Sequence, residues 1–199
     1  MDGMTLTLNS LVAMAWRTVK NPREGATEIL SLGVPREALW LALALVVTIS
    51  ILLAQATSLL VTGEAGAGMP VGPLAMGFVQ LLLLVLMVFS IFWIGRSFGG
   101  SGSFEETILL VTWLQFIMVC LQVVQTVALV ILPVFSGLIG IGALVLFLWL
   151  LTNFVTVLHG FTSLGKVFVM ILVSAFGIAF GLSIILTLIG VTVPVVNGA

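Results

Sequence analysis

The stretch Leu81-Leu82-Leu83-Leu84-Val85-Leu86 is apolar at every position. A strand of a membrane barrel alternates lipid-facing and lumen-facing residues, so a run that is apolar on all faces suits a helix surrounded by hydrocarbon instead. Followed outward, the charge-free stretch covers residues 71–95. About 20 apolar residues in a helix cross a hydrocarbon core of about 30 Å. Stretches of the same kind lie at 38–61, 107–132, 134–158 and 167–193. The expected fold class is all-α, a polytopic bundle of five transmembrane helices. The boundary between the third and fourth spans rests on Ile131-Leu132-Pro133-Val134, followed by Ser136, Gly137, Gly140 and Gly142. A single helix from 107 to 158 would far exceed the bilayer, so a tight antiparallel turn is expected at Pro133.

Composition agrees. Of 199 residues, 61% are hydrophobic and 7% charged, and the mean hydropathy is +1.39. A water-soluble domain carries roughly a quarter of its residues as charges, so the lipid bilayer is the expected partner. Six basic residues against seven acidic ones leave no patch to displace phosphate counterions, which excludes a nucleic-acid binder. Cys120 is the sole cysteine and His159 the sole histidine, and neither a His-Glu-x-x-His nor a Gly-x-Ser-x-Gly motif occurs. No catalytic residue, cofactor or metal ligand is therefore read, and no enzyme is expected. The spans also lack the ionisable groups that mark ion-coupled carriers.

The basic residues orient the bundle. Arg17, Lys20, Arg23 and Arg36 precede the first span, Arg96 separates the second from the third, and Lys166 the fourth from the fifth. All fall on one side, which places the N-terminus in the cytoplasm and the C-terminus outside. Residues 1–36 form a cytoplasmic interfacial helical segment ahead of a transmembrane domain, 37–199. Met4, Leu8, Leu11, Val12, Ala15 and Val19 recur at helical spacing with Arg17, Lys20 and Asn9 opposite and Trp16 at the flank. Such a helix lies on lipid or on the bundle's own cytoplasmic ends. Asn21-Pro22-Arg23-Glu24 reads as a second helix start, with Asn21 as N-cap and Glu24 bonding back, and Gly33 as its stop.

Gly99-Gly100-Ser101-Gly102-Ser103-Phe104-Glu105-Glu106 invites a phosphate-loop reading, but no Lys-Ser or Lys-Thr pair follows the last glycine and the carboxylates would repel phosphate. Ser103 and Glu106 instead have the spacing of a capping box. Polar stripes run along the third span (Thr112, Gln115, Gln122, Thr126) and the fourth (Thr152, Asn153, Thr156, His159). Lipid satisfies none of these groups, so they are expected to face other helices as hydrogen-bonding glue, the alternative being the lining of a polar substrate path. Arg96, His159 and Lys166 are candidate lipid-headgroup contacts; His159 reads either as a capping or hydrogen-bonding side chain or, with Lys166, as a holder of lipid phosphate. Ser174 and Gly177-Ile178-Ala179-Phe180-Gly181 make a small-residue face suited to close helix approach.

Asn21-Pro22-Arg23, the glycine-serine turn running on to Thr107, and His159-Gly160-Phe161-Thr162-Ser163, set among five spans, resemble the bacterial branch of the Yip family of membrane proteins. Eukaryotic members sit in secretory-pathway membranes, bind Rab-type GTPases and associate with related five-span proteins. The resemblance thus implies a membrane adaptor or scaffold, with other membrane proteins or further copies of the chain as partners, in a bacterial inner membrane with the C-terminus periplasmic. This chain has no tyrosine, so the Asp-Leu-Tyr-Gly-Pro motif of those relatives is absent, and with it the residues for GTPase binding. The rival function is lipid or small-solute handling.

Overall fold

The computed structural model describes residues 7–64, 66 and 72–188, and within them the chain is all-α. Two short helices, α1 (Leu8–Lys20) and α2 (Pro22–Leu30), precede five long ones: α3 (Arg36–Thr62), α4 (Pro73–Ser97), α5 (Phe104–Ile131), α6 (Ser136–His159) and α7 (Leu164–Leu188). These five are long and apolar enough to cross a membrane. Met4 and residues 189–193 of the expected last span lie outside the described residues. At Pro133 the chain makes a single 3-10 turn, Pro133–Phe135, and reverses directly into α6.

The long helices run alternately up and down, so one end of the bundle collects α1, α2, the turn after Arg96 and the turn before Lys166. Every basic residue of the chain stands there. We call it the basic end and the opposite one, which carries the Pro133 turn, the far end.

α1 and α2 form a hairpin packed on α5 and α6. α1 buries part of the face the sequence suggests, rotated toward Met14 and Thr18: Ala15 is buried with those two and Leu11 and Val19 are half-buried against the core, while Leu8 and Val12 are exposed and Trp16 is 62% exposed. The reason is a polar anchor. Thr18 donates to the Met14 carbonyl at 2.9 Å and accepts from the Trp113 indole N–H at 3.2 Å. A Cβ on Gly25 of α2 would collide with Thr18, so glycine is what lets the two short helices touch. An Arg17–Glu28 pair at 2.9 Å closes the hairpin at its surface.

Two local expectations are adjusted. Asn21 stands at the N-cap of α2 as expected and Glu24 does bond back to it, but side chain to side chain: the Asn21 amide donates to the Glu24 carboxylate at 3.2 Å and caps no backbone N–H. α2 also stops at Leu30, short of Gly33. There the Ser31 hydroxyl takes the Glu28 carbonyl at 2.6 Å and Leu32 N–H bonds to Ile29, tightening the last turn before the glycine is reached.

The core has two parts. One joins α1 and α2 to α5 and α6 through Ile29, Trp113, Leu114, Leu150 and Phe154. The other is a seam in which Leu39, Leu43 and Val47, one turn apart on α3, meet Val88 of α4 and Ile108 of α5. Phe104, at the start of α5, is ringed by Trp40, Phe89 and Phe92 with centroids 5.1–6.3 Å away.

Candidate functional site

At the basic end α4 and α6 finish in the same way. Gly99 (φ +86°) lets the Gly100 N–H return to the Gly95 carbonyl at 2.9 Å, and Gly160 (φ +69°) lets the Phe161 N–H return to Thr156 at 3.0 Å. Both are Schellman closures with a left-handed glycine, which spares the last carbonyls of each helix.

The closures bring the Gly99–Gly102 turn onto the end of α6 and enclose His159, which is only 3% exposed. Gly102 N–H donates to Nδ1 at 3.3 Å, and Nε2 lies 3.1 Å from the Ile91 carbonyl. A carbonyl only accepts, so Nε2 carries the proton and Nδ1 is bare: the geometry selects one neutral tautomer. The ring fits because its neighbours are glycines. A Cβ on Gly95 would fall within the imidazole, one on Gly100 would stand 2.5 Å from the Cβ of His159, and one on Gly102 would stand 2.7 Å from Leu158. Ser101 N–H reaches the His159 carbonyl at 3.4 Å. The glycine turn is thus a clamp around the histidine. Two residues further on, Ser103 accepts from Glu106 N–H at 3.2 Å while Glu106 takes the Ser103 N–H at 2.7 Å, both halves of a capping box at the start of α5.

Of the three candidate headgroup contacts, His159 therefore has both ring nitrogens engaged by backbone. Arg96 and Lys166 are exposed, Arg96 lying over the Phe92 ring at 5.4 Å, and neither has a carboxylate partner among the described residues.

The two stripes do not meet. On α5, the Gln122 amide donates to the Ser50 carbonyl and accepts from the Ser50 hydroxyl, both at 3.2 Å, and Gln80 of α4 donates to that same hydroxyl at 3.2 Å. One turn on, Thr126 and Thr57 share a 2.7 Å bond between α5 and α3. Thr112 is buried with its hydroxyl unpartnered, and Gln115 is half-buried with no hydrogen bond to any described residue. On α6, Thr152, Asn153 and Thr156 are buried, and each returns a bond of 2.7–2.8 Å to the carbonyl four residues back in its own helix.

Ser50, Thr57, Gln80, Thr18 and Trp113 went unread in the sequence. The first three are polar residues in otherwise apolar spans, the same signal that marks Gln122 and Thr126, so applying it to α3 and α4 finds them. The Thr18–Trp113 bond, ninety-five positions apart, has no local signal.

Among the described residues no group of His, Cys, Asp or Glu is placed to hold a metal ion. No curated protein and no solved structure matches the chain. Residues 16–186, from within α1 to the last turn of α7, match the Yip1 domain, and with most of its length covered the chain belongs to the Yip family of polytopic membrane proteins.

Proposed function

We propose that this protein is a non-enzymatic scaffold or accessory protein of its membrane, organising or accompanying other membrane proteins or further copies of itself. One observation carries the reading: apart from Thr112 and Gln115, which bond to no described residue, the polar groups of the two stripes are spent inside the bundle. Gln122 and Thr126 join α5 to α3, and Thr152, Asn153 and Thr156 close on their own helix. A carrier of polar solutes needs such groups along a path. Membership of the family supports the same reading.

We place the basic end in the cytoplasm by the positive-inside rule, with residues 1–36 as its docking segment and 37–199 as the spanning unit, in a bacterial inner membrane. Alkaline phosphatase fused after Asn197 is then active in a bacterial host and inactive when fused after Gly100; the reverse pattern rejects the orientation. For the function, protein in liposomes with dye-labelled lipids separates the two classes. The scaffold gives no protein-dependent exchange between leaflets. Exchange that is abolished by Gln115→Leu or Asn153→Leu rejects it.

A further inference from the structure

α7 takes its main contacts from α6 and leaves a groove between itself and α4, floored by α6. Its cavity is about 340 Å³, and among the described residues Ser90 and Ser174 are the only polar side chains in its lining. A second cavity, about 260 Å³, lies at the basic end, where Phe98, Thr162, Ser163 and Lys166 line it. Met170 lines both, so the two cavities adjoin at that side chain, and we treat them as one depression. Along α7 its wall is a broad face that runs from Lys166 through Met170, Ser174 and Ile178 to Leu182, with Ile171, Ala175 and Ala179 beside them. With a rise of 1.5 Å per residue, the apolar part from Met170 to Leu182 is about 18 Å long. One leaflet of a hydrocarbon core is about 15 Å thick.

We propose that this depression holds one anionic phospholipid of the leaflet at the basic end, an acyl chain lying between α4 and α7 and the headgroup phosphate at Lys166 and the Ser163 and Thr162 hydroxyls. Charge argues for the anion: Lys166 has no carboxylate partner among the described residues, and no acidic residue lines either cavity. Length argues for a lipid rather than a free anion, since the apolar wall begins one turn from the cation and its length of about 18 Å is enough to take an acyl chain through the about 15 Å of one leaflet. The groove offers a polar solute little to bind: Ser174, and Ser90, whose hydroxyl already donates to the Leu86 carbonyl at 2.7 Å. Of the small-residue face, Ser174, Ile178 and Ala179 line the groove, while Gly177 and Gly181 have no atom within 4 Å of an added Cβ and so mark no close helix approach among the described residues.

Native mass spectrometry of the full chain in mild detergent tests this, with phosphatidylglycerol and phosphatidylcholine of identical chains as probes. One phosphatidylglycerol should be retained in preference to phosphatidylcholine. Lys166→Gln, at an exposed position that does not threaten the fold, should cut that preference about fivefold, as expected for one lysine at an anionic surface. Ala175→Trp, which fills the groove from its wall, should abolish retention of both lipids. Soluble glycerol phosphate should raise the melting temperature of the protein far less than the lipid does. Equal retention of the two lipids, unchanged by Lys166→Gln, overturns the proposal in favour of ordinary annular lipid. Full retention by Ala175→Trp puts the lipid elsewhere. A dimer that Ala175→Trp dissolves gives the groove to a second copy of the chain, and equal protection by glycerol phosphate leaves only a soluble-anion site.

Discussion

The two ends of this bundle are held together by different means. At the basic end α5 is buried from Thr107 through Val119 on successive turns and α6 from Leu150 to His159, and the α1–α2 hairpin covers them both. Beyond Val119 on α5, and before Leu150 on α6, no described residue is buried, and Val123, Val127, Ile131, Leu138, Ile141 and Val145 are all exposed. Tight packing belongs where helices meet water or their own chain. Toward the far end hydrocarbon covers the side chains as well as protein would, so burial offers no driving force for association. The specific links there are polar: Ser50 with Gln122 and Gln80, and Thr57 with Thr126. Hydrogen bonds cross between helices in both halves, at Trp113–Thr18 and His159–Ile91 as well, but in the far half they act without close packing around them.

If that contrast is right, the most damaging single change lies in the packed half. Gly95→Val forces a branched side chain into the space of the His159 ring. Overpacking alone costs about 1–3 kcal/mol, and driving the imidazole from Gly102 leaves a buried N–H unsatisfied for about 1–3 more. The variant should unfold at a much lower temperature in detergent, or fail to accumulate. A melting temperature near that of the parent would mean that the clamp is plastic and the packed end is not what holds the fold.

Ser103→Ala tests the same end at its edge. Losing an N-cap costs about 0.5–2 kcal/mol, and the first turn of α5 should show faster amide exchange while the second half of that helix does not change. Uniformly faster exchange along α5 would show that the cap governs the whole helix and that the two halves are not separate.

The capping box and the clamp also divide what the sequence could and could not reveal. A cap is written within four residues, Ser103 to Glu106, and a span within about 20, so both were readable without knowing any neighbour. The same holds for the turn at Pro133. The clamp needs Gly95, Gly100, Gly102 and His159 together, from two chain segments some sixty positions apart, and a glycine in a sequence says only that a side chain is missing. The stripes fall between. Spacing gave the helix face, but a hydroxyl or amide on that face can bond across to another helix, as Gln122 does, back to its own, as Thr156 does, or both, as Thr126 does. Only tertiary contact decides which. For α1, periodicity gave an amphipathic helix and missed its rotation, because Thr18 counts as polar until Trp113 is known to meet it.

In the thin half, Gln122→Leu removes both bonds to Ser50 and leaves Gln80 to it alone. Interhelical bonds of this kind contribute about 0.6–2 kcal/mol, and the loss should appear as easier separation of α3 from α5 in disulfide-trapping or detergent-unfolding assays. Asn153→Leu is the control. Its amide bonds only the Trp149 carbonyl of its own helix, so it should cost less than Gln122→Leu. Should it cost more, then burial and not crossing bonds sets the value of a polar residue in these spans.

The smallest effect carries the opposite sign. Thr112 lies in the packed half, 7% exposed, and its hydroxyl has no partner. A buried hydroxyl without a bond stands at a loss against a methyl group of similar size, so Thr112→Val should leave stability unchanged or raise it by up to about 1 kcal/mol. Gln122→Leu and Thr112→Val are both polar-to-apolar changes on one face of one helix, ten residues apart. They are expected to move the melting temperature in opposite directions because the first group bridges two helices and the second bridges nothing. A drop for Thr112→Val comparable to that for Gln122→Leu would mean that the hydroxyl is satisfied after all, through water or a bound ligand reaching into the packed half.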